Sequence, residues 1–243
     1  MDELIYKLKS IRLSAMATRL NIRLQEATAN ELPYLEFLNN LIDDELSIRQ
    51  DRLLNRRLKQ AKFPFLKTID DFDFSFNPAI NKQHIKKLAT AAFVAHQQNI
   101  LLIGPPGVGK THLAVALGIQ AIHQGFPVIY RSVFDIAVDI AKNPMDIMNH
   151  FLKPPLLIID ELGMKNLNQT ANEMLLEIIH RRYQQASTII ATNRPIEDWG
   201  KIFGDNATAS AILDRFLENL HFIKITGKSY RLKHHNGKEQ KNS

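Results

Sequence analysis

Eight consecutive residues in the middle of the chain have the types and spacing of a phosphate-binding loop. Residues 104–111 read Gly-Pro-Pro-Gly-Val-Gly-Lys-Thr and match the pattern G-x-x-x-x-G-K-[ST] at every fixed position. Glycines let a backbone wrap with its N–H groups toward phosphate oxygens, and a helix starting near Lys110 adds the positive end of its dipole. The alternative is a tight turn without a ligand. The predicted nucleotide-binding residues are Gly104, Pro105, Pro106, Gly107, Val108, Gly109, Lys110, Thr111 and His112.

Four side chains are predicted to handle the phosphates, the metal and water. Lys110 is expected to reach the β and γ phosphates, and Thr111 to hold Mg2+ through its hydroxyl. The apolar run 156–159 ends in Asp160, a predicted Mg2+ ligand, and in Glu161, which is suited to orient the attacking water. The alternative for Glu161 is a solvated carboxylate at a helix start. The paired acids favour hydrolysis over phosphoryl transfer to a metabolite.

Another polar residue follows the next apolar run along the chain. Residues 188–191 read Thr-Ile-Ile-Ala and lead into Thr192 and Asn193. An amide at the tip of the strand beside the Asp160 strand can contact both the γ phosphate and the attacking water. Asn193 is therefore a candidate γ-phosphate sensor, and a turn-forming Asn before Pro195 is the alternative.

Short apolar runs alternate with helical patterns through the second part of the chain. Because the runs are apolar throughout, they predict a parallel sheet covered by helices on both faces, a three-layer α/β/α fold with five strands. The predicted strands cover 100–103, 128–130, 156–159, 188–191 and 222–225, and the predicted helices cover 81–97, 110–124, 133–142, 169–186 and 206–220.

The first part of the chain is of a different kind. Residues 1–65 contain no Gly, and their apolar residues recur at intervals of three and four, which predicts a small helical module with one helix over 4–20 and a longer one over 35–58. Residues 66–80, which alternate Asp with Phe at 71–76, are predicted to be an extended linker. The nucleotide-binding domain is predicted to cover 81–232, and a flexible basic tail is predicted to cover 233–243.

Composition excludes several classes of protein. The chain has 243 residues, 45% of them hydrophobic, which is enough for a core, and no Cys, which excludes disulfide frameworks, thiolate metal sites and cysteine nucleophiles. No stretch reaches the roughly 18 to 20 apolar residues that span a bilayer. We expect a cytoplasmic protein without a membrane partner.

Positive charge is concentrated in two segments. The net charge is 31 − 25 = +6, and seven basic residues lie within 49–67 and six within 224–243. Such clusters are typical of proteins that bind a polyanion, although a solvated helix face and a disordered tail are the alternative. The predicted DNA-binding residues are Arg49, Arg52, Arg56, Arg57 and Lys59.

Taken together, these motifs resemble the AAA+ ATPases of the DnaA and DnaC branch, and more closely the IstB-like transposition helper ATPases of insertion sequences. The resemblance rests on residues 104–111, the strand Leu-Ile-Ile-Asp-Glu, Thr192-Asn193 and the segment Ile-Leu-Asp-Arg-Phe at 212–216. It implies that Arg215 is an arginine finger acting on a neighbouring subunit, with a salt bridge to Asp214 or Glu218 as the alternative. Reserve candidates for that finger are Arg181 and Arg182.

The resemblance also implies a function and a set of partners. These are ATP and Mg2+ as cofactors, duplex DNA bound largely without sequence specificity, a separate transposase, and further copies of the chain in an ATP-dependent oligomer that hydrolysis loosens. Only about eighteen residues follow the fifth predicted strand, too few for the helical lid usual in AAA+ proteins. A DnaC-type helicase loader and a metabolic kinase are the alternative functions.

Overall fold

The computed structural model describes residues 1–164, 167–203 and 207–230. The chain divides into two compact units, Met1–Arg56 and Arg57–Ser243. The predicted tail 233–243 lies outside the described residues.

The first unit is helical. It contains α1 (Asp2–Ser10), α2 (Ser14–Ala29) and most of α3 (Tyr34–Ala61). The single helix predicted over residues 4–20 is wrong, because Arg12 adopts a left-handed backbone with φ 63° and separates α1 from α2. Met16, Leu20 and Leu41 form the core of the unit.

Glu45 of α3 stabilises the start of α2. Its Oε2 accepts hydrogen bonds from the backbone N–H groups of Ala15 (2.8 Å) and Met16 (3.1 Å), which lie in the first turn of α2 and have no partner within that helix. The carboxylate therefore supplies both a cap and a negative charge at the positive end of the helix dipole. Arg49 pairs with its other oxygen at 2.8 Å.

The second unit is built on five parallel strands, as the apolar runs predict. In chain order they are β1 (Asn99–Ile103), β2 (Val128–Ser132), β3 (Leu156–Leu162), β4 (Ser187–Thr192) and β5 (Leu220–Lys224). Their order across the sheet is β2-β3-β4-β1-β5. The helices of this unit are α4 (Lys82–Leu88), α5 (Ala92–Ala95), α6 (Lys110–His123), α7 (Val133–Lys142), α8 (Pro144–Leu152), α9 (Gln169–Arg182), α10 (Trp199–Phe203) and α11 (Ala207–Glu218), with a 3-10 turn at Ile196–Asp198.

Helices cover both faces of the sheet. On one face, Leu157 and Ile159 of β3 belong to a buried cluster with residues of α7 to α11. On the other face, α6 approaches closely because it carries Gly118, where a Cβ would lie 2.7 Å from Cδ1 of Ile158 and 2.9 Å from the Phe63 ring. The fold is therefore the predicted three-layer α/β/α arrangement.

Three elements differ from the prediction. The helix expected over 81–97 is two short helices, α4 and α5, because Ala91 has φ 58°. Helix α8 was not predicted; Asn143 caps it and Pro144 occupies its first turn. Strand β5 begins at Leu220, two residues before the predicted run. Residues 66–80 contain turns but no helix or strand, and the part of the chain after residue 230, which the expectation about a helical lid concerns, lies outside the described residues.

Candidate nucleotide-binding site

The phosphate loop joins β1 to the first turn of α6, which is the strand–loop–helix arrangement that its sequence predicts. Two glycines are required by the local geometry. Gly109 has φ 106°, and a Cβ at Gly104 would collide with the carbonyl oxygen of Ile225. The loop therefore depends on glycine both for its backbone conformation and for the close approach of the segment that follows β5.

Lys110 lies within this loop. Its Nζ donates to the carbonyl oxygens of Gly104 (2.7 Å) and Pro105 (2.8 Å). Because α6 begins at this residue, the positive end of the helix dipole and the ammonium group occupy the same place. Both features suit an anionic ligand, and triphosphate is the ligand typical of this loop.

Asp160 lies at the carboxyl end of β3 and is only 2% exposed. Its Oδ1 accepts the N–H of Glu161 at 2.8 Å, and its Oδ2 accepts the hydroxyl of Tyr130 at 2.8 Å. Burial, followed by the charge of Asp160, raises the pKa of Tyr130, so the phenol remains a donor at neutral pH. Each oxygen of this carboxyl group therefore accepts one hydrogen bond from a separate donor.

The donor set found among the described residues suits a cation that needs few protein ligands, such as Mg2+. Within the described ranges, no group of three or more His, Cys, Asp or Glu side chains is arranged to hold a metal. Mg2+ is commonly held by one or two protein oxygens together with substrate phosphates. Asp160 and the Thr111 hydroxyl supply oxygens of this kind.

Glu161 occupies a strained position. Its φ is 62°, in the left-handed region that non-glycine residues rarely adopt. The pairing of β3 with β4 shifts between Ile159 and Leu162, so Glu161 lies in a β-bulge at the end of β3 rather than at a helix start. The alternative placed Glu161 at the start of a helix, and this is wrong because Glu161 belongs to β3. Bulges that re-aim a side chain are over-represented next to active sites.

Asn193 follows β4, the strand that lies between β1 and β3. Its Oδ1 is buried and has no hydrogen-bond partner within the part of the chain that the structure describes. The neighbouring turn is held instead by Thr192, whose hydroxyl donates to the carbonyl of Leu162 (2.7 Å) and accepts the N–H of Arg194 (3.0 Å). The amide oxygen is thus not used for the local turn, which favours the sensor hypothesis over the turn alternative.

Arg215 lies on the exposed side of α11. Its Nη1 is 3.3 Å from Nδ1 of His180 on α9. Within the described residues it forms no ion pair with Asp214 or Glu218, and Glu218 instead accepts the hydroxyl of Tyr183. The salt-bridge alternative is therefore not what the structure contains. An exposed arginine outside its own subunit's phosphate loop is compatible with action on a neighbour.

The reserve candidate Arg182 is excluded as a finger. It is 2% exposed and donates to the carbonyl oxygens of Phe151, Pro154 and Ser187 and to the hydroxyl of Thr188. This guanidinium is a structural part of the core. Arg181 is exposed and pairs with Glu177 at 2.6 Å.

An aromatic cavity beside the phosphate loop was missed by the sequence interpretation. It has a volume of about 330 Å³, and its wall combines the loop with residues 65–77 and Tyr230. The ring of His112 packs edge-on against those of Phe65 and Phe72, with centroids 6.4 Å and 5.2 Å apart. Its Nε2 lies 2.8 Å from the carbonyl oxygen of Thr68. The alternating Asp and Phe residues at 71–76 were the available signal, and the linker prediction did not use it.

The cavity is suited to a flat heteroaromatic ring. Phe72 lies against Gly109, where a Cβ would be 2.6 Å from the ring. Burial is the main cause that lowers the pKa of His112, so this ring is neutral near pH 7. Phe76 and Tyr230 meet edge to face at 5.0 Å, and the Tyr230 N–H donates to the carbonyl of Gly107 at 2.9 Å. Tyr230 thus contacts the phosphate loop directly.

Comparison with known proteins identifies the family. A family model described as IstB-like ATP binding protein matches residues 6–238. The chain belongs to this family. Relatives of the IstB-like chain include an ATP-binding protein of insertion sequence IS21 from Pseudomonas aeruginosa, 37% identical over 96% of this chain and 90% of the relative. Another, of insertion sequence IS5376 from Geobacillus stearothermophilus, is 35% identical over 95% of this chain and 94% of the relative.

Solved structures share the fold of the IstB-like chain. A crystal structure of DnaI is 20% identical, with TM-score 0.55 over 72% of this chain and 98% of that one. A structure of AMPPCP-bound DnaA from Aquifex aeolicus is 21% identical, with TM-score 0.55 over 68% of this chain and 51% of that one. At such identities the likeness concerns the fold alone, which is that of AAA+ domains.

The predicted DNA-binding residues of the IstB-like chain divide into two groups. Arg49 pairs with Glu45 and donates to the carbonyl of Arg12 at 2.8 Å, and Arg52 donates to the hydroxyl of Ser14 at 3.0 Å. These two arginines help to hold the first unit together. Arg49, Arg52, Arg56 and Lys59 are all exposed and Arg57 is half-buried, so the first two arginines differ from the others in their partners and not in their exposure. Every helix among the described residues is too short or too polar to cross a bilayer.

Proposed function

We propose that the chain is an ATP-hydrolysing AAA+ helper of DNA transposition that assembles on duplex DNA and serves a separate transposase. One observation carries the proposal: a phosphate loop, a buried carboxylate and a buried amide oxygen without a described partner follow three adjacent strands, β1, β3 and β4, of an IstB-like chain. That combination supports hydrolysis of a bound nucleotide, because it offers groups for the phosphates, a cation and a water molecule.

The nucleotide is bound by two kinds of group. The phosphates are held by the loop N–H groups and the Lys110 ammonium, and the base by the aromatic cavity around Phe72 and His112. Thr111 and Asp160 would hold Mg2+, which when bound would supply charge neutralisation on the phosphate oxygens. Both subsites adjoin the same loop, which supports a nucleoside triphosphate as the ligand rather than inorganic phosphate.

Hydrolysis is assigned to three side chains. Glu161 accepts a proton from the attacking water or orients it, and Asn193 contacts that water and the γ phosphate. Arg215 of a neighbouring copy neutralises charge that develops on the transferred phosphoryl group. Because Arg215 is exposed and in this role acts on the nucleotide of a neighbouring copy, hydrolysis is coupled to assembly.

Duplex DNA is bound through its phosphates. The exposed basic residues at the end of α3 support contacts that do not read sequence, and such binding weakens steeply with salt. The relatives named after insertion sequences support a transposase as the partner. A helicase loader and a metabolic kinase have less support, because the relatives at 35% and 37% identity are named after insertion sequences.

The test combines calorimetry with turnover. The full chain is titrated with ATP and Mg2+, and hydrolysis is followed with and without duplex DNA. Lys110→Ala should abolish nucleotide binding, whereas the exposed control Lys86→Ala should leave it unchanged. Glu161→Gln should bind ATP and hydrolyse it at least about 100-fold more slowly. Absence of heat for the unaltered chain would refute the proposal, as would hydrolysis that a small-molecule acceptor stimulates and duplex DNA does not.

A further inference from the structure

Tyr130 is a buried residue of β2 that none of the roles above uses. It is 7% exposed, and its hydroxyl lies 2.8 Å from Oδ2 of Asp160 on the adjacent strand. The parallel register pairs Tyr130 with Ile158 and Ser132 with Asp160, so the phenol reaches diagonally along the sheet to the strand end. The contact therefore joins a side chain in the core to the predicted metal ligand.

The two oxygens of Asp160 are each held by a separate donor. The N–H of Glu161 fixes Oδ1, and the hydroxyl of Tyr130 fixes Oδ2. With a donor on each oxygen, the plane of the carboxyl group is set, while each oxygen retains a further lone pair. One donor belongs to the backbone, so only the side-chain donor can be removed by a substitution that leaves the main chain unchanged.

The Tyr130 hydroxyl is an uncharged donor, and this affects how well Asp160 can bind a cation. A lysine or arginine in the same place would neutralise the carboxylate and repel Mg2+, whereas a phenol orients the group without adding charge. Among the ion pairs of the described residues, none includes Asp160. The negative charge of Asp160 is thus oriented without being neutralised by a salt bridge.

The ring of Tyr130 is held in place by its neighbours. Phe63 packs edge-on against it with ring centroids 6.2 Å apart. Phe63 itself fills the space left by Gly118 on α6, the helix that carries the phosphate loop. The hydroxyl therefore has a fixed position relative to the sheet and to α6.

We propose that Tyr130 is a positioning residue, which orients the Asp160 carboxylate toward the divalent cation that accompanies ATP. This inference rests on the proposed function, because it concerns the same nucleotide site. Partners that orient a metal ligand typically change metal affinity by about 10- to 100-fold when they are removed. Loss of the hydroxyl should affect the Mg2+ requirement and not the contacts that the loop and cavity make with ATP.

The experiment measures ATP affinity of the full chain in EDTA and over a range of Mg2+ concentrations. Tyr130→Phe keeps the ring and removes the hydroxyl. It should raise the Mg2+ concentration for half-maximal enhancement of ATP binding by about 10-fold, with the affinity in EDTA unchanged. The matched control is Tyr183→Phe, which removes a hydroxyl bonded to Glu218 on a different surface and should give no shift.

A second comparison tests whether Tyr130 acts through Asp160. In an Asp160→Asn background, Tyr130→Phe should produce no further change in Mg2+ dependence, since the group that it orients has lost its charge. A shift below about threefold in the unaltered background, a shift of the same size in the Asp160→Asn background, or a lower ATP affinity in EDTA would each overturn the inference. If the unaltered chain failed to bind ATP at all, the proposed function itself would fail, and the two failures are thereby distinguished.

Discussion

Replacing Arg182 by Met should weaken the second unit by an amount that separates a core arginine from a catalytic one. The guanidinium is 2% exposed and is held by three carbonyl oxygens and one hydroxyl, and no ion pair among the described residues includes it. Burial lowers the pKa of Arg182 to about 9, which still leaves it a cation near neutral pH. These hydrogen bonds join the end of α8 to the amino ends of β3 and β4.

The magnitude follows from the groups that lose their donor. A buried oxygen left without its donor costs about 1–3 kcal/mol, so the three carbonyl oxygens alone cost about 3–9 kcal/mol. Met fills part of the volume and removes the cost of burying a charge, so we expect the lower end, about 3 kcal/mol. For a unit of this size that corresponds to a fall in Tm of about 6–12 °C.

The assay is urea unfolding followed by circular dichroism, with Arg181→Met as the neighbouring control. Arg181 is exposed and pairs only with Glu177 among the described residues, so its loss should cost less than about 1 kcal/mol. ATP affinity of the folded Arg182→Met protein should be unchanged, because Arg182 contacts the strand ends opposite the phosphate loop. Unfolding free energies for the two variants within about 1 kcal/mol of each other would refute the reasoning.

Three further predictions concern the site and the first unit. The Arg215→Ala variant should keep its Tm and hydrolyse ATP about 1,000-fold more slowly. Mixing it with Lys110→Ala protein should restore part of the activity, because one variant keeps an intact phosphate loop and the other keeps Arg215. A mixture that stays inactive would contradict action on a neighbouring copy. Phe72→Ala should weaken ATP binding by about 10-fold or more, measured by calorimetry against Phe134→Ala on α7, because it removes a wall of the cavity. Glu45→Gln should make the fold of the first unit less sensitive to acid. Burial raises the pKa of Glu45, but the hydrogen bonds from Arg49 and from the N–H groups of Met16 and Ala15 outweigh it. The pKa of Glu45 therefore lies below its usual range. The stability that this carboxylate contributes is therefore present above about pH 4.5 and is lost as pH falls through the folded pKa. The helical circular dichroism signal of the Gln variant should accordingly fall less between about pH 5 and pH 3 than that of the unaltered chain. An identical acid transition in both proteins would contradict this prediction.

The central sheet and the phosphate loop were predictable because their signals are local. An apolar run between turn residues identifies a strand, and the glycine spacing identifies the loop at residues 104–111. The helix breaks at Arg12 and Ala91 gave no such signal, since neither residue is Gly or Pro and each is held at positive φ by its surroundings. Helix continuity was therefore overestimated at both places.

Side-chain roles that depend on contacts across the fold were less predictable. Arg182 and Arg215 are both arginines in helical segments, and only burial distinguishes the core residue from the exposed one. The bulge at Glu161 arises from a register shift between two strands, which no single segment encodes. The aromatic cavity unites residues 65–77 with Tyr230, whose separation along the chain conceals their proximity.

That separation has a consequence for how a ligand protects the protein. Phe76 precedes the sheet and Tyr230 follows its last strand, yet their rings meet edge to face in the wall of the cavity. A ligand bound in the cavity would contact both residues, so adding it should slow proteolysis near Phe76 and near Tyr230 together. Deleting the segment that carries Phe76 or the one that carries Tyr230 should weaken binding of the same ligand.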